Sequence, residues 1–188
     1  MSGFKPVRMR DGSSYTGSAQ RCYYATAANL FVGDPVTTDA AGADANGVLR
    51  VTKATAGTAG TIYGIVVGME PNRDDLTKKY LASGDTGYVM VCTDPNVVYQ
   101  AQEDGAGGFL ALADIGLNTN YVATAGNTAT GVSGSELDSD APVVTATLQF
   151  KIIGLAQFEG NLANVGTADA VWECTINTSI ANPNSVGI

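Results

Sequence analysis

The apolar residues of this chain occur in short runs, each closed within a few residues by glycine, proline, asparagine or aspartate. Runs 88–92 and 171–176 are rich in β-branched and aromatic residues, and run 48–53 alternates apolar with polar positions. Short runs of this kind are typical of strands, whereas an amphipathic helix needs a longer stretch with a period of about 3.6 residues. We therefore predict a mainly β fold, a compact antiparallel sandwich or small barrel with few short helices.

The 188 residues suit one domain or two small packed ones. Residues 1–21 combine glycines and cations with little periodicity, so we predict an extended N-terminal arm that only a partner would order. Residues 22–188 are predicted to form the β-rich domain, with a candidate subdomain break near the polar segment 102–108. Residues 72–82 carry acids at their start and lysines near their end, a distribution that the helix dipole favours, and predict a helical turn.

Glycines interrupt the best candidate for a central strand, the run 61–69. A glycine inside a strand often marks a bulge or a close approach of another backbone. We expect Gly64 and Gly68 to occupy such positions.

Charge is distributed unevenly along the chain. Residues 1–79 hold nine Lys and Arg against seven acids, a net +2, whereas residues 80–188 hold Lys151 against eleven acids, a net −10. A nucleic-acid-binding protein presents a basic face, and an anionic membrane repels acidic surface. The sequence therefore predicts neither nucleic acid nor membrane as a partner.

The residue types that most catalytic and metal sites need are missing or badly spaced. The chain has no histidine, which removes His-dependent triads and His-ligated zinc. Cys22, Cys92 and Cys174 are too widely spaced for a disulfide framework and are expected to be reduced and buried. The acidic clusters lie in polar loops, although Asp138 and Asp140 leave a surface calcium site open as an alternative. We predict no enzyme activity, no cofactor and no metal.

Aromatic residues leave two readings open. Trp172 lies on an alternating run beside Val171 and Cys174, so core packing or a subunit contact is favoured over a ligand platform. The tyrosines are scattered along the chain, but scattered residues can converge in the fold.

The order of several short segments resembles the head-decoration (cement) proteins of tailed bacteriophages. In the first half these segments are LFVGDPV, VLRVTKATAG, IYGIVVG and SGDTGYVMV. In the second half, phage virion proteins encoded near the major capsid gene are similar to ADIGLNTNYVA, TATGVSGSELD, ATLQFKIIGL and AVWECTIN. The resemblance covers about residues 22–188, and its weight comes from the order of the segments.

This resemblance implies a non-enzymatic structural protein on the outer surface of the virion, made in the host cytoplasm. It implies the phage major capsid protein as partner, bridging of its subunits, and self-association as a homotrimer. On this reading the arm lies on the capsid, and we hypothesise that Lys5, Arg8 and Arg10 meet capsid acids.

Two other classes remain open on the same residues. One is another virion component, such as a head-fibre base, a neck protein or a tail protein. The other is a carbohydrate- or cell-surface-binding β-module, which needs an exposed aromatic patch with polar groups nearby.

Overall fold

The computed structural model describes residues 3–57, 60–72, 75–140 and 142–181. Within these ranges the chain is mainly β, which confirms the predicted fold class. The strands are, in chain order, β1 Lys5–Met9, β2 Gln20–Ala25, β3 Pro35–Ala43, β4 Leu49–Lys53, β5 Gly64–Met69, β6 Thr86–Cys92, β7 Val97–Gln102, β8 Asn118–Thr119, β9 Tyr121–Val122, β10 Glu136–Leu137, β11 Phe150–Leu155 and β12 Val171–Ile176. A 3₁₀ turn covers Leu112–Asp114, and the α-helix α1 covers Asn161–Asn164.

Five strands of the first half close into a small barrel in the order β2-β4-β3-β5-β6. The pairs are antiparallel except for β2 and β4, which run parallel. Alternation along β2 points Cys22 and Tyr24 into the barrel, where both are fully buried, and leaves Tyr23 partly exposed outside. The barrel core is therefore built mainly from β-branched and aromatic residues at every second position.

The glycines of β5 occupy the positions that the sequence predicts. A Cβ at Gly64 would overlap the carbonyl oxygen of Cys92 on β6, so the two backbones can approach only because the side chain is absent. The register between β5 and β6 shifts between Val66 and Gly68, which is the expected irregularity.

The four remaining long strands and the two-residue β8 form a five-stranded antiparallel sheet in the order β1-β7-β12-β11-β8. Its buried face carries Trp172, Tyr99 and Phe150, which pack in one cluster with Ile62 and Ile65 from the barrel side. The core position favoured for Trp172 is confirmed, because its side chain has no exposed surface. The sheet and the barrel thus share apolar packing and do not form two separate cores.

Residues 4–9 are not a free arm, and the prediction that only a partner would order them is wrong. Lys5–Met9 pairs antiparallel with β7, and Phe4 is buried, stacked on Phe150 with ring centroids 4.3 Å apart. The backbone N–H of Phe4 also donates to the carbonyl of Gly33 at 3.0 Å. A five-residue strand bonded along one edge and anchored by one buried ring does not need a long apolar run of its own.

The chain leaves the barrel earlier than the predicted break near 102–108. Strand β6 ends at Cys92 and β7 begins at Val97, so the change of sheet falls in the turn at 93–96. In that turn Asp94 accepts the backbone N–H of Asn96 at 2.8 Å. The polar segment 102–108 instead follows β7 inside the second half of the fold.

Residues 75–82 form turns and not the predicted helix, and residues 73 and 74 lie outside the described residues. The Asp75 carboxylate accepts both the backbone N–H and the hydroxyl of Thr77, and the Asp75 N–H donates to the side chain of Asn72. Such local side-chain bonds compete with helical hydrogen bonding.

Candidate protein-binding groove

A buried aspartate holds the turn that leads into β3. Asp34, in the segment LFVGDPV, has no exposed surface, and its carboxylate accepts the Phe31 backbone N–H at 3.0 Å. The hydroxyls of Ser133 and Ser135 donate to the same carboxylate, and the Lys53 ammonium lies 3.0 Å from it. Four groups from three separate segments therefore converge on one buried charge.

The glycine before Asp34 lets the N-terminal segment approach this turn. Gly33 has φ +96°, and a Cβ there would crowd the backbone of Gly3 and Phe4 at 3.1–3.2 Å. The Gly3 N–H donates to the Ser135 carbonyl at 2.9 Å, so the N-terminal segment also contacts the loop before β10.

A groove of about 550 Å³ opens where these three segments meet. Its lining is mostly apolar, and Lys5 is the one charged side chain among the described residues that line it. Val132 is 40% exposed at its rim. The apolar lining comprises Phe4, Pro6, Val32, Val66, Val67 and Val132, with Tyr15 beside them.

A second cleft of about 460 Å³ adjoins this groove, because Val32 and Val132 line both. These two valines are joined by a parallel β-bridge, so they form a fixed apolar ridge between the two spaces. Beyond the ridge, Tyr80 stacks on Phe31 at 5.0 Å and Leu76 is 79% exposed. We call the groove, the ridge and the second cleft together the valine-ridge surface.

The three predicted docking cations have different surroundings. Lys5 is exposed beside the groove, and Arg10 is exposed just beyond β1. Arg8 instead pairs with Glu173 on β12, with 2.6 Å between Nη2 and Oε2. Among the described residues neither Lys5 nor Arg10 has an ion-pair partner, so both are accessible to the acidic groups of a ligand.

A third, polar cleft of about 610 Å³ lies on the outside of the barrel. Tyr23 and Tyr88 face each other across β2 and β6 with centroids 5.4 Å apart. The Arg21 guanidinium lies 3.5 Å above the Tyr88 ring and that of Arg50 lies 5.9 Å from the Tyr23 ring. A sugar would have to displace these guanidinium groups to stack on either ring, so this geometry does not favour the carbohydrate alternative.

Two acidic residues of the second half accept hydrogen bonds from neighbouring loop residues. The Asp138 carboxylate accepts the backbone N–H of Asp140 at 3.0 Å, and Asp104 accepts the N–H and hydroxyl of Ser139. Among the described residues, no group of three or more Cys, Asp or Glu is arranged to hold a metal ion.

Glu103 is the acid placed deepest in this half. It has no exposed surface, and its two oxygens accept the Leu110 N–H at 2.6 Å and the Trp172 indole N–H at 3.1 Å. Burial raises the pKa of the Glu103 carboxyl above its usual range, although these two donors oppose the shift.

The raised pKa of Glu103 predicts a pH-dependent contribution to stability. The folded protein takes up this proton at a higher pH than the unfolded chain, so this group gains stability as pH falls through its folded-state value. We expect the free energy of unfolding, measured relative to Glu103→Gln, to rise from neutral pH towards the ordinary glutamate value of about 4.3. Urea unfolding of both proteins at several pH values measures this difference. A difference that stays constant or shrinks on acidification would contradict the prediction.

The chain matches no protein-family model, no curated protein and no solved structure. None of the helical segments in the described ranges has both the length and the apolar character that crossing a membrane requires.

Proposed function

We propose that the protein is a structural subunit of a tailed-phage virion that decorates the outer surface of the icosahedral head. It binds the major capsid protein there and stabilises the shell by bridging neighbouring subunits, as a homotrimer. The observation that carries this proposal is the apolar groove beside β1, which has exposed Lys5 at its edge. Exposed apolar surface rimmed by polar groups is typical of protein-binding sites.

The segments behind the family resemblance also build this groove. LFVGDPV supplies Val32 and Gly33 to its wall, and IYGIVVG supplies Val66 and Val67. TATGVSGSELD supplies Val132, together with the two serines that bind Asp34. The segments whose order carries the resemblance therefore also supply much of the groove wall, which supports the proposal.

Binding to the assembled shell is enough to stabilise it. A ligand that binds the assembled shell and not the dissociated subunits shifts the equilibrium towards the shell. A trimer that engages several capsid subunits at once gains effective affinity from modest individual contacts.

Cosedimentation of the purified protein with bare, expanded phage heads tests the proposal. We expect saturation at hundreds of copies per particle, at a number that icosahedral symmetry allows. Saturation at about a dozen copies, as the resemblance implies for a neck component, would favour another virion role. Absence of binding would reject decoration, and a glycan screen would then test the carbohydrate-binding alternative.

Alanine substitutions separate docking from folding at the N-terminal segment. We expect Lys5→Ala with Arg10→Ala to lower head occupancy, with the largest effect at low salt, because both cations are exposed and unpaired among the described residues. Their free energy of unfolding should stay within about 0.5 kcal/mol of the wild type. Truncating the segment is not a clean test, because Phe4 belongs to the core.

Arg8→Ala is the matched control for these substitutions. It removes a cation from the same strand, but one already paired with Glu173. The pair is partly exposed, so its loss should cost about 1 kcal/mol or less and leave occupancy nearly unchanged. Equal occupancy for the Lys5→Ala, Arg10→Ala double variant, for Arg8→Ala and for the wild type would contradict the assignment of Lys5 and Arg10.

A further inference from the structure

The cations that flank the valine ridge are unusual for this chain. The protein as a whole carries a net charge of −8. Among the described residues, those that line the groove and the second cleft include three lysines (Lys5, Lys78 and Lys79) and one acid, Glu70. Two of these charges have partners, because Lys78 pairs with Asp85 and Glu70 pairs with Arg21.

Lys5 and Lys79 are both exposed and have no ion pair with a described residue. They lie in different spaces, Lys5 at the groove and Lys79 at the second cleft. Lys79 is held close to the ridge, because a Cβ at Gly131, the residue before Val132, would overlap the backbone of Lys79. An apolar ridge therefore has on each side an exposed lysine that no described residue pairs.

We propose that the valine-ridge surface binds an extended segment of the capsid protein in which carboxylates flank apolar side chains. The apolar side chains fill the groove and the second cleft on the two sides of Val32 and Val132, and the carboxylates meet Lys5 and Lys79. The occupant is assigned by charge complementarity, since a basic or neutral segment would leave both lysines unpaired. The identity of the partner rests on the proposed function, whereas the chemistry of the segment rests on this surface alone.

Reversing the charge of each lysine and measuring binding to heads tests the assignment of Lys5 and Lys79. We expect Lys5→Glu and Lys79→Glu each to weaken binding to bare expanded heads by about tenfold at low salt. The matched control is Lys151→Glu, which reverses an exposed lysine on β11 outside this surface and should bind as the wild type does.

An apolar pair of variants tests the ridge in the same assay. Val132→Asp should weaken binding at least as much as the lysine reversals, because it places a carboxylate on the ridge. Val143→Asp is its control, since Val143 is also 40% exposed but lies outside the surface. Circular dichroism and urea midpoints establish that each variant is folded.

A peptide assay separates failure of this inference from failure of the proposed function. The probe is a fluorescent hexapeptide of alternating valine and glutamate, compared by anisotropy with the same peptide carrying lysine in place of glutamate. We expect the glutamate peptide to bind more tightly and to lose that preference with Lys5→Glu plus Lys79→Glu.

The outcomes point to different conclusions. Equal binding of the two peptides, or binding of neither, would overturn the acidic–apolar chemistry. If the wild-type protein binds heads and none of the surface variants weakens that binding, the acidic–apolar chemistry is also overturned, whereas the proposal of head decoration is kept. Peptide binding without any binding to heads would reject the capsid as partner and leave the chemistry of the surface supported.

Discussion

Replacing Asp34 with alanine is expected to lower the free energy of unfolding by about 3–5 kcal/mol, as found when one partner of a buried ion pair is removed. The substitution leaves the Lys53 ammonium, 19% exposed, without its carboxylate. It also leaves the Phe31 N–H and two serine hydroxyls without their acceptor in a buried site. Urea unfolding with an unchanged m-value would measure the loss.

Asp39→Ala is a matched control on β3, the strand that begins directly after Asp34. Asp39 pairs with Arg50 at 3.2 Å, but both side chains are at least 20% exposed, so the expected cost is about 1 kcal/mol or less. Asp34→Asn keeps the shape and removes the charge, and should fall between the two. A loss below about 1 kcal/mol for Asp34→Ala would show that the site relaxes or admits water.

Replacing Trp172 with phenylalanine is expected to cost about 2–4 kcal/mol. The indole is fully buried in the shared core, so the smaller ring leaves a cavity. It also removes the N–H that binds Glu103, whose carboxylate then keeps only the Leu110 N–H among its observed donors. Thermal or urea unfolding measures the combined effect.

A double-mutant cycle with Glu103→Gln separates the two contributions. If the hydrogen bond matters, Trp172→Phe should cost less in the Glu103→Gln background, with a coupling energy of about 0.5–3 kcal/mol. Tyr99→Phe is the control, because it removes a buried hydroxyl bonded to the Cys92 sulfur and leaves Glu103 untouched. A coupling energy near zero would assign the whole effect to lost packing.

Strands whose patterns are local could be predicted from the sequence. The run 171–176 is β12, residue for residue, and run 48–53 matches β4 to within one residue. Apolar residues also alternate over 144–150, ahead of β11, although the chain makes turns there until Phe150. The alternation of side chains does not reveal whether a neighbouring strand is present to pair with them.

The N-terminal segment could not be predicted in this way. Its one strong anchor is Phe4, and the residues that bury this ring, Tyr121 and Phe150, lie far away in the sequence. A local reading counts apolar residues within the segment and therefore underestimates what distant partners contribute.

The candidate groove is equally hidden in the sequence, and of the three predicted docking cations only Lys5 lines it. Closeness in sequence groups Lys5, Arg8 and Arg10, but pairing with Glu173 separates Arg8 from the other two. The groove combines residues from four segments of the chain. A usable signal was Val132, an isolated apolar residue in a polar stretch, which proves to be 40% exposed.

The pairing of β1 with β7 also affects how the chain is made. Residues 20–92 contain every strand of the barrel, so that part can close while the ribosome is still translating the rest. Residues 4–9 are synthesised earlier, but their partners at 97–102 and 150 come later. When the barrel closes during translation, Phe4 therefore still lacks the residues that stack on it and pair with the strand after it. A chain whose synthesis stops before residue 150 never gains Phe150, the stacking partner of Phe4.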